Sequence, residues 1–315
     1  TLAGPEASRI LAAVTGLDSG ALAKSKDAHT IRLNVTGNAK SRLAVNGLAE
    51  GANLKLALAG SIEPEAREPA LTGDLTVTTS DGGRLAALLP GLSRIALATT
   101  PIAGAARVVI GPNRTEFHDI SAKVGASMVA GALRSEAAGT ATRIDGNLKV
   151  STLRVAHLLA PLLLQRSEAA SQAAAILSGQ SVIWPDEQLD LAVLDTVSGG
   201  VRLDIDRLDL GAGAELANAV LNLALAKDRF ELRTLDGRGL GGTWTGAMKL
   251  ERQPAGTALS GLLRLTNGTI GSLVRDATDK ATATGQASGL LTFAGRGLSA
   301  QRKQFGGHNE LPGVS

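Results

Sequence analysis

The chain has 315 residues, enough for one large domain or two ordinary ones. It contains no cysteine, which excludes disulfides and cysteine-ligated metal sites. Because it has only four Phe, two Trp and no Tyr, its apolar surfaces must be made mainly of aliphatic side chains. The 32 basic and 29 acidic residues are interspersed and give a net charge of only +3. Because single-stranded nucleic acid is bound by basic tracks with stacking aromatics, this composition argues against a nucleic-acid partner.

From the N-terminus, residues 1–29 are predicted to form a helical or linker piece. Alternation of apolar and polar residues then begins at residues 30–36, where Ile31, Leu33 and Val35 fall on one face of a predicted strand. Residues 53–58 repeat the pattern. Turn-forming residues such as Asn46-Gly47 separate these short strands, which favours antiparallel meanders over alternating strands and helices.

A second pattern recurs three times, as a strand that begins with glycine and is followed by a short leucine-rich helix. The three strands are predicted at residues 73–77, 146–150 and 261–265, and the helices at 84–90, 153–159 and 270–274. The repetition predicts a mainly β (α+β) fold, an elongated curved antiparallel β-sheet or groove built from repeats, with short interspersed helices. The predicted parts are β repeats with closing helices at 30–164, a helical insert and linker at 165–199, a C-terminal β repeat at 200–300 and an irregular tail at 301–315.

The strands of the C-terminal repeat supply the candidate site. Alternation in residues 201–206, 221–225 and 261–265 places aliphatic side chains on one face and polar ones on the other. The candidate lining residues of an apolar groove are Leu203, Ile205, Leu221, Leu223, Leu225, Leu263 and Leu265. The pattern alone favours the alternative, in which these residues pack against helices or a second sheet in a dry sandwich; the open groove is favoured by the family resemblance given below.

Motifs that would carry chemistry are weak in this chain. Residues 237–242 spell G-x-G-x-x-G, but the alternating segment that follows indicates a glycine-rich hairpin and not a dinucleotide site. Acidic residues such as Asp204 and Asp206 alternate with apolar ones and indicate a solvated strand face. The sequence therefore predicts no catalytic residue, no cofactor and no metal site. A hydrolase using His118 or His157 stays open as an alternative, since a triad can be assembled from distant residues.

Residues 184–297 resemble the C-terminal region of the AsmA family, which is related to TamB and to bridge-like lipid transfer proteins. The resemblance is carried by the order of strands, glycine turns and a Gly-Gly hairpin, in residues 184–191 (WPDEQLDL), 201–211 (VRLDIDRLDLG), 219–223 (AVLNL), 230–232 (FEL), 241–246 (GGTWTG), 259–265 (LSGLLRL) and 295–297 (GRG). Residues 30–164 are similar in their repeat pattern. The resemblance implies a long curved sheet with an apolar inner face.

The resemblance also implies a role in phospholipid transport and outer-membrane biogenesis, in the periplasm of a Gram-negative bacterium. The expected partners are a phospholipid or another acyl lipid and the inner membrane. The inner membrane is expected to be reached through an anchor outside this fragment, because the longest apolar stretch is about half of the roughly 20 residues that a membrane span needs. Protein partners are not indicated. The alternative is a structural envelope β-domain that regulates outer-membrane protein assembly or targeting without binding lipid.

Overall fold

The computed structural model describes residues 30–82, 100–155, 191–269 and 285–297, except residues 39, 52, 67, 140, 212, 213 and 255 within those ranges. These residues form fourteen strands and one short 3-10 helix, Ala192–Asp195. The strands are β1 (Thr30–Asn38), β2 (Arg42–Gly51), β3 (Leu54–Ile62), β4 (Leu71–Thr79), β5 (Ile102–Ile110), β6 (Arg114–Val124), β7 (Ser127–Ala138), β8 (Ala141–Arg154), β9 (Val197–Gly211), β10 (Ala214–Ala226), β11 (Arg229–Gly239), β12 (Gly242–Gln253), β13 (Gly256–Thr269) and β14 (Gln286–Gly297).

All fourteen strands belong to one open sheet in which they follow one another in chain order. Neighbouring strands are antiparallel except at one place, where β8 and β9 run parallel. The sheet is therefore two antiparallel meanders, β1–β8 and β9–β14, joined edge to edge. The predicted mainly β fold with an elongated antiparallel sheet is confirmed, and the parallel junction is a feature that the alternation did not predict.

The hairpin turns use the residues that tight turns require. Leu240 and Gly241 join β11 to β12 with φ of 51° and 75°, the left-handed conformation of a two-residue hairpin turn. This turn lies inside the G-x-G-x-x-G match of residues 237–242, so the interpretation of that motif as a hairpin is confirmed. Asp228, with φ of 63°, makes the corresponding turn between β10 and β11.

Three Asx residues in the left-handed conformation interrupt the strands themselves. Asp119, Asn218 and Asn267 have φ of 50°, 49° and 56°, and each coincides with a shift of register between its strand and a neighbour. These are β-bulges, which bend a strand and increase its twist. Asn and Asp tolerate this conformation because their short polar side chains bond locally. By bending individual strands, the bulges allow this fourteen-stranded sheet to curve.

The two faces of the sheet differ in burial. In β3, for example, Leu54, Leu56 and Leu58 are buried, while Lys55 between them is exposed. We call the face that carries Leu54, Leu56 and Leu58 the inner face and the opposite one the outer face. This burial of one side only, together with the bulges, fits the predicted curved sheet that closes toward its inner face.

Several predicted segments lie outside the described residues: the piece at 1–29, the helices at 84–90 and 270–274, nearly all of the insert at 165–199 and the tail at 301–315. The strands predicted before the three helices are present in β4, β8 and β13. The start of the second helix was predicted at Leu153, but β8 extends to Arg154, because Leu153 and Arg154 pair with Leu208 and Asp209 of β9. Likewise β9 begins at Val197, before the predicted boundary at residue 200.

Candidate apolar trough

Side chains of the inner face line up in rows that cross the sheet from one edge to the other. One row is unbroken through all fourteen strands, because each member is the direct partner of the next in the strand registers. Its members are Val35, Val45, Gly60, Gly73, Val108, Phe117, Leu133, Gly146, Val201, Leu223, Leu232, Met248, Gly261 and Phe293. Every member is apolar or glycine, so this row forms a continuous apolar strip across the sheet.

A parallel row, two residues away along most strands and three away in the bulged strands β6 and β11, has the same character. It runs through Leu33, Gly47, Leu58, Leu75, Ala106, Ile120, Gly131, Leu148, Leu203, Leu221, Leu235, Gly246, Leu263 and Leu291, with the bulge at Asp119 adjusting the parity of β6. We call the surface made by these two rows the apolar trough. No charged side chain interrupts either row.

All seven groove residues predicted from the sequence lie on the inner face, and Leu203 is the direct partner of Leu221. Four of them are nearly inaccessible: Leu203 is 6%, Ile205 2%, Leu221 1% and Leu265 7% exposed. Leu223, Leu225 and Leu263 are half-buried. Leu203, Ile205 and Leu221 pack with Val150, Leu208, Leu216, Ala219 and Leu235 in one core cluster. The predicted residues are thus gathered on one face, but more than half of them form protein core and do not offer open surface.

Sequence reasoning missed a half-buried part of the trough, which lies in β6–β8. Phe117, Ile120, Leu133 and Leu148 belong to the two rows and are only half-buried. Their pattern was hard to recognise because alanine and glycine fill neighbouring inner positions, and because the bulge at Asp119 breaks the alternation within β6. The Gly146–Val150 strand was predicted, but its partner β7 is too poor in large residues to show a period of two.

Beside the trough, the chain itself covers part of the inner face. Leu191 and Leu194, which flank the start of the 3-10 helix, are buried against Phe230 and Leu250 of the inner face, together with Val197. Arg252 fixes this segment to the sheet, since its Nη1 lies 2.9 Å from Asp195 Oδ1 and 2.7 Å from Asp228 Oδ1. We call residues 191–197 the end segment. It covers the inner face near the start of β11 and the end of β12, away from the turn at Leu240 and Gly241 that joins these strands.

The outer face carries ion pairs between residues two apart on the same strand, which share a face. Arg143 and Asp145, Arg202 and Asp204, and Arg134 and Glu136 are such pairs. Arg143 Nη2 lies 3.2 Å from Asp145 Oδ1, which also accepts a hydrogen bond of 3.1 Å from the backbone N–H of Gly200 on the neighbouring strand.

These pairs shift the pKa of several carboxyl groups. The hydrogen bond from Arg143 lowers the pKa of Asp145 against the opposing effect of partial burial. Glu231 accepts from Arg233 and Arg229, each at 3.1 Å, and these bonds lower its pKa, that from Arg233 most strongly. Lys249 in the same way lowers the pKa of Glu251. The outer face is therefore a solvated lattice of compensating charges.

The residues considered for chemistry belong to this lattice. His118, weighed for a hydrolase, lies on the outer face with Nε2 3.1 Å from Glu116 Oε2. Asp204 and Asp206 project from the outer face and pair with Arg202 and Lys149. Across the described ranges, no group of three or more His, Asp or Glu side chains is arranged to hold a metal ion. His157 lies outside the described residues.

Within the described ranges, fold and site together define a class: an open, meandering β-sheet with an apolar inner face and a charged outer face. In comparisons with known proteins, no family model, no curated protein and no solved structure matches this chain. Among the described segments, no helix has both the length and the apolarity needed to cross a bilayer.

Proposed function

We propose that this chain is the lipid-handling segment of an AsmA-like periplasmic protein, anchored to the inner membrane, which takes part in phospholipid transport and outer-membrane biogenesis. The observation that carries the proposal is the unbroken apolar row from Val35 to Phe293. A surface of this kind offers an acyl chain a path that no polar side chain interrupts. The resemblance of residues 184–297 to the AsmA family supports the same assignment.

The dimensions of the trough suit an acyl chain. Fourteen strands spaced about 4.8 Å apart give a sheet roughly 60 Å wide, measured across the strands. Each methylene group that leaves water for an apolar surface contributes about 0.8 kcal/mol. Because both rows are apolar and uncharged, no fixed charge or polar side chain within the rows holds a bound acyl chain at one position. The headgroup needs no dedicated protein ligand and stays in solvent.

The accessible part of the trough is where lipid binding is expected to be strongest. In β6–β8 the row members Phe117, Leu133 and Leu148 are half-buried, so an apolar ligand can still cover part of their surface. The core cluster around Leu203 and Leu221 has little surface left to offer. We therefore expect lipid contact at the half-buried members of the rows, among them those of β6–β8, and assign the cluster to holding the sheet together. Binding, and not catalysis, is the proposed activity.

The test uses two adjacent residues that point to opposite faces. Leu148 is a trough residue, and its neighbour Asn147 is exposed on the outer face. Because the chain has no native cysteine, Leu148→Cys and Asn147→Cys can each be labelled with a small fluorophore such as bimane. Delipidated protein is then titrated with phosphatidylcholine carrying brominated acyl chains, which quench the fluorophore on contact.

Quenching at position 148 with little at position 147 is the expected result. Equal quenching at both positions, or none at either while circular dichroism shows an intact sheet, would remove the basis of the proposal. Mass spectrometry of lipids extracted from the unlabelled purified protein gives an independent measurement that no substitution disturbs.

The second candidate is a structural envelope β-domain that acts without lipid. It is favoured by the near-complete burial of Leu203, Ile205 and Leu221 and by the end segment, which fills part of the inner face with Leu191 and Leu194. If this candidate holds, the purified protein carries no lipid and the label at position 148 is insensitive to brominated chains.

A further inference from the structure

The connection from β8 to β9 leaves the sheet at one end and returns at the other. In the parallel register of these strands, Arg154 at the end of β8 lies beside Asp209, whereas Val197 at the start of β9 lies beside Thr142. At about 3.3 Å per residue, the two ends are roughly 40 Å apart along the strands. The chain between them, residues 156–190, lies outside the described residues and has to pass over one of the two faces of the sheet.

The described residues on both sides of this connection lie on the inner face. Val155, which precedes it, packs against the core cluster that contains Leu203 and Ile205. Leu191, which follows it, is 1% exposed and is buried against Phe230 and Leu250. A chain that leaves and returns on the same face has its shortest path over that face.

The direction of the backbone hydrogen bonds gives a second, independent argument. Thr142 lies on the inner face, four residues before Gly146 in the same strand, and its N–H donates to the carbonyl oxygen of Thr196 at 2.7 Å, on the side of β9. For L-residues this means that β9 lies to the right of β8 when the inner face is viewed with both strands pointing upward. Connections between parallel strands of one sheet are right-handed in about 98% of cases. A right-handed connection to a strand on the right passes in front of the sheet, which here is the inner face.

The amino-acid content of the connection suits the inner face. Between residues 156 and 183 the charged residues are only Arg166 and Glu168, beside one histidine, His157. The large apolar residues of the connection are Leu158, Leu159, Leu162, Leu163, Leu164, Ile176, Leu177, Val182, Ile183, Trp184 and Leu189. On the outer face such side chains would cover ion pairs and cost their solvation, whereas on the inner face they meet apolar rows.

We propose that residues 156–190 pass over the inner face and contact the apolar rows of β8 and β9. The half-buried row members Leu148 and Val201 are the expected contacts, because a connection between two neighbouring strands lies above those strands. The inference goes beyond the proposed function and does not rest on it. An acyl chain that contacts Leu148 would lie beside this connection.

Photocrosslinking from adjacent residues on opposite faces tests the path. Leu148→Cys and Asn147→Cys are each labelled with benzophenone maleimide, and the delipidated protein is irradiated at low concentration. Mass spectrometry of the isolated monomer then locates the insertion sites. We expect the label at position 148 to insert into residues 156–190 at least ten times more often than the label at position 147. Equal insertion from both, more from position 147, or none from either while circular dichroism shows an intact sheet would overturn the proposal.

A label placed in the connection provides the reverse measurement. Ser178→Cys leaves every residue of the sheet unchanged, so its use does not depend on how the sheet tolerates substitution. Its benzophenone should insert into inner-face side chains such as Val201 and not into the outer-face neighbour Arg202, and a preference for outer-face residues would refute the path. Lipid extracted from unlabelled protein is a separate readout. Protein that carries no lipid but shows these crosslinks would fail the proposed function and keep this inference.

Discussion

Replacing Gly199 by alanine tests the junction that joins the two meanders. Gly199 has φ of 123°, a conformation that side chains rarely adopt, and a Cβ atom at this position would collide with the carbonyl oxygen of Ile144 on β8. The next residue, Gly200, offers a matched control. A Cβ there would have only ordinary contacts, the nearest at 3.5 Å from the carbonyl oxygen of Leu223.

The expected loss follows from the strain. Forcing a residue other than glycine into such a conformation costs about 1–3 kcal/mol. With an m-value of about 3 kcal/mol per molar for a sheet of this size, the urea midpoint of Gly199→Ala should fall by roughly 0.3–1 M. Gly200→Ala should change the midpoint by much less. The measurement is equilibrium urea unfolding followed by circular dichroism at 218 nm (about the β-sheet minimum).

The reasoning would be refuted if Gly199→Ala were as stable as Gly200→Ala. That result would show that β8 and β9 can pair without the backbone conformation of Gly199. The parallel junction would then be a loosely held contact, and the two meanders would unfold as separate units.

The end segment and the outer-face lattice give two further predictions. Leu194→Ala should lower the free energy of unfolding by about 2–5 kcal/mol, because Leu194 is 3% exposed and its truncation leaves a cavity against Phe230 and Leu250; urea unfolding measures the loss. Asp145→Asn keeps an oxygen that can accept from Gly200 but removes the charge that Arg143 stabilises. Because the folded-state pKa of Asp145 is lowered, its contribution is fully present above the unfolded pKa of about 4 and is lost as the pH falls through the folded value. The stability difference between the native chain and Asp145→Asn should therefore shrink when urea unfolding is repeated from pH 7 down to pH 3, and a constant difference would contradict the assignment.

Local pattern was enough to predict the strands with clear alternation. Residues 30–36, 54–58 and 201–206 all lie in strands, and the inner positions Leu203 and Ile205 were assigned to one face as the structure has them. Period-two alternation depends only on which side chains face water, so it can be read from neighbouring residues. The hairpin at Leu240 and Gly241 was predictable for the same reason, since turn chemistry is local.

The features that were missed depend on contacts between distant segments. The parallel pairing of β8 with β9 joins Leu148 to Leu203 across a long connection, and no local signal marks such a partner. The bulges at Asp119 and Asn218 change which face the following residues occupy, and an Asx residue in a strand is too common to identify a bulge by itself. Burial was unpredictable too, because whether Leu203 lines an open groove or a core depends on how strongly the sheet curves.

Glycine lies beside leucine at several places in the rows of the inner face. A Cβ at Gly246 would lie 3.0 Å from Leu263 Cδ1, and a Cβ at Gly146 would lie 2.5 Å from Leu133 Cδ2, so in both places a leucine from the next strand already covers the glycine. These glycine–leucine contacts fill the inner face where a strand carries no side chain, so the two rows continue across the sheet without a polar gap.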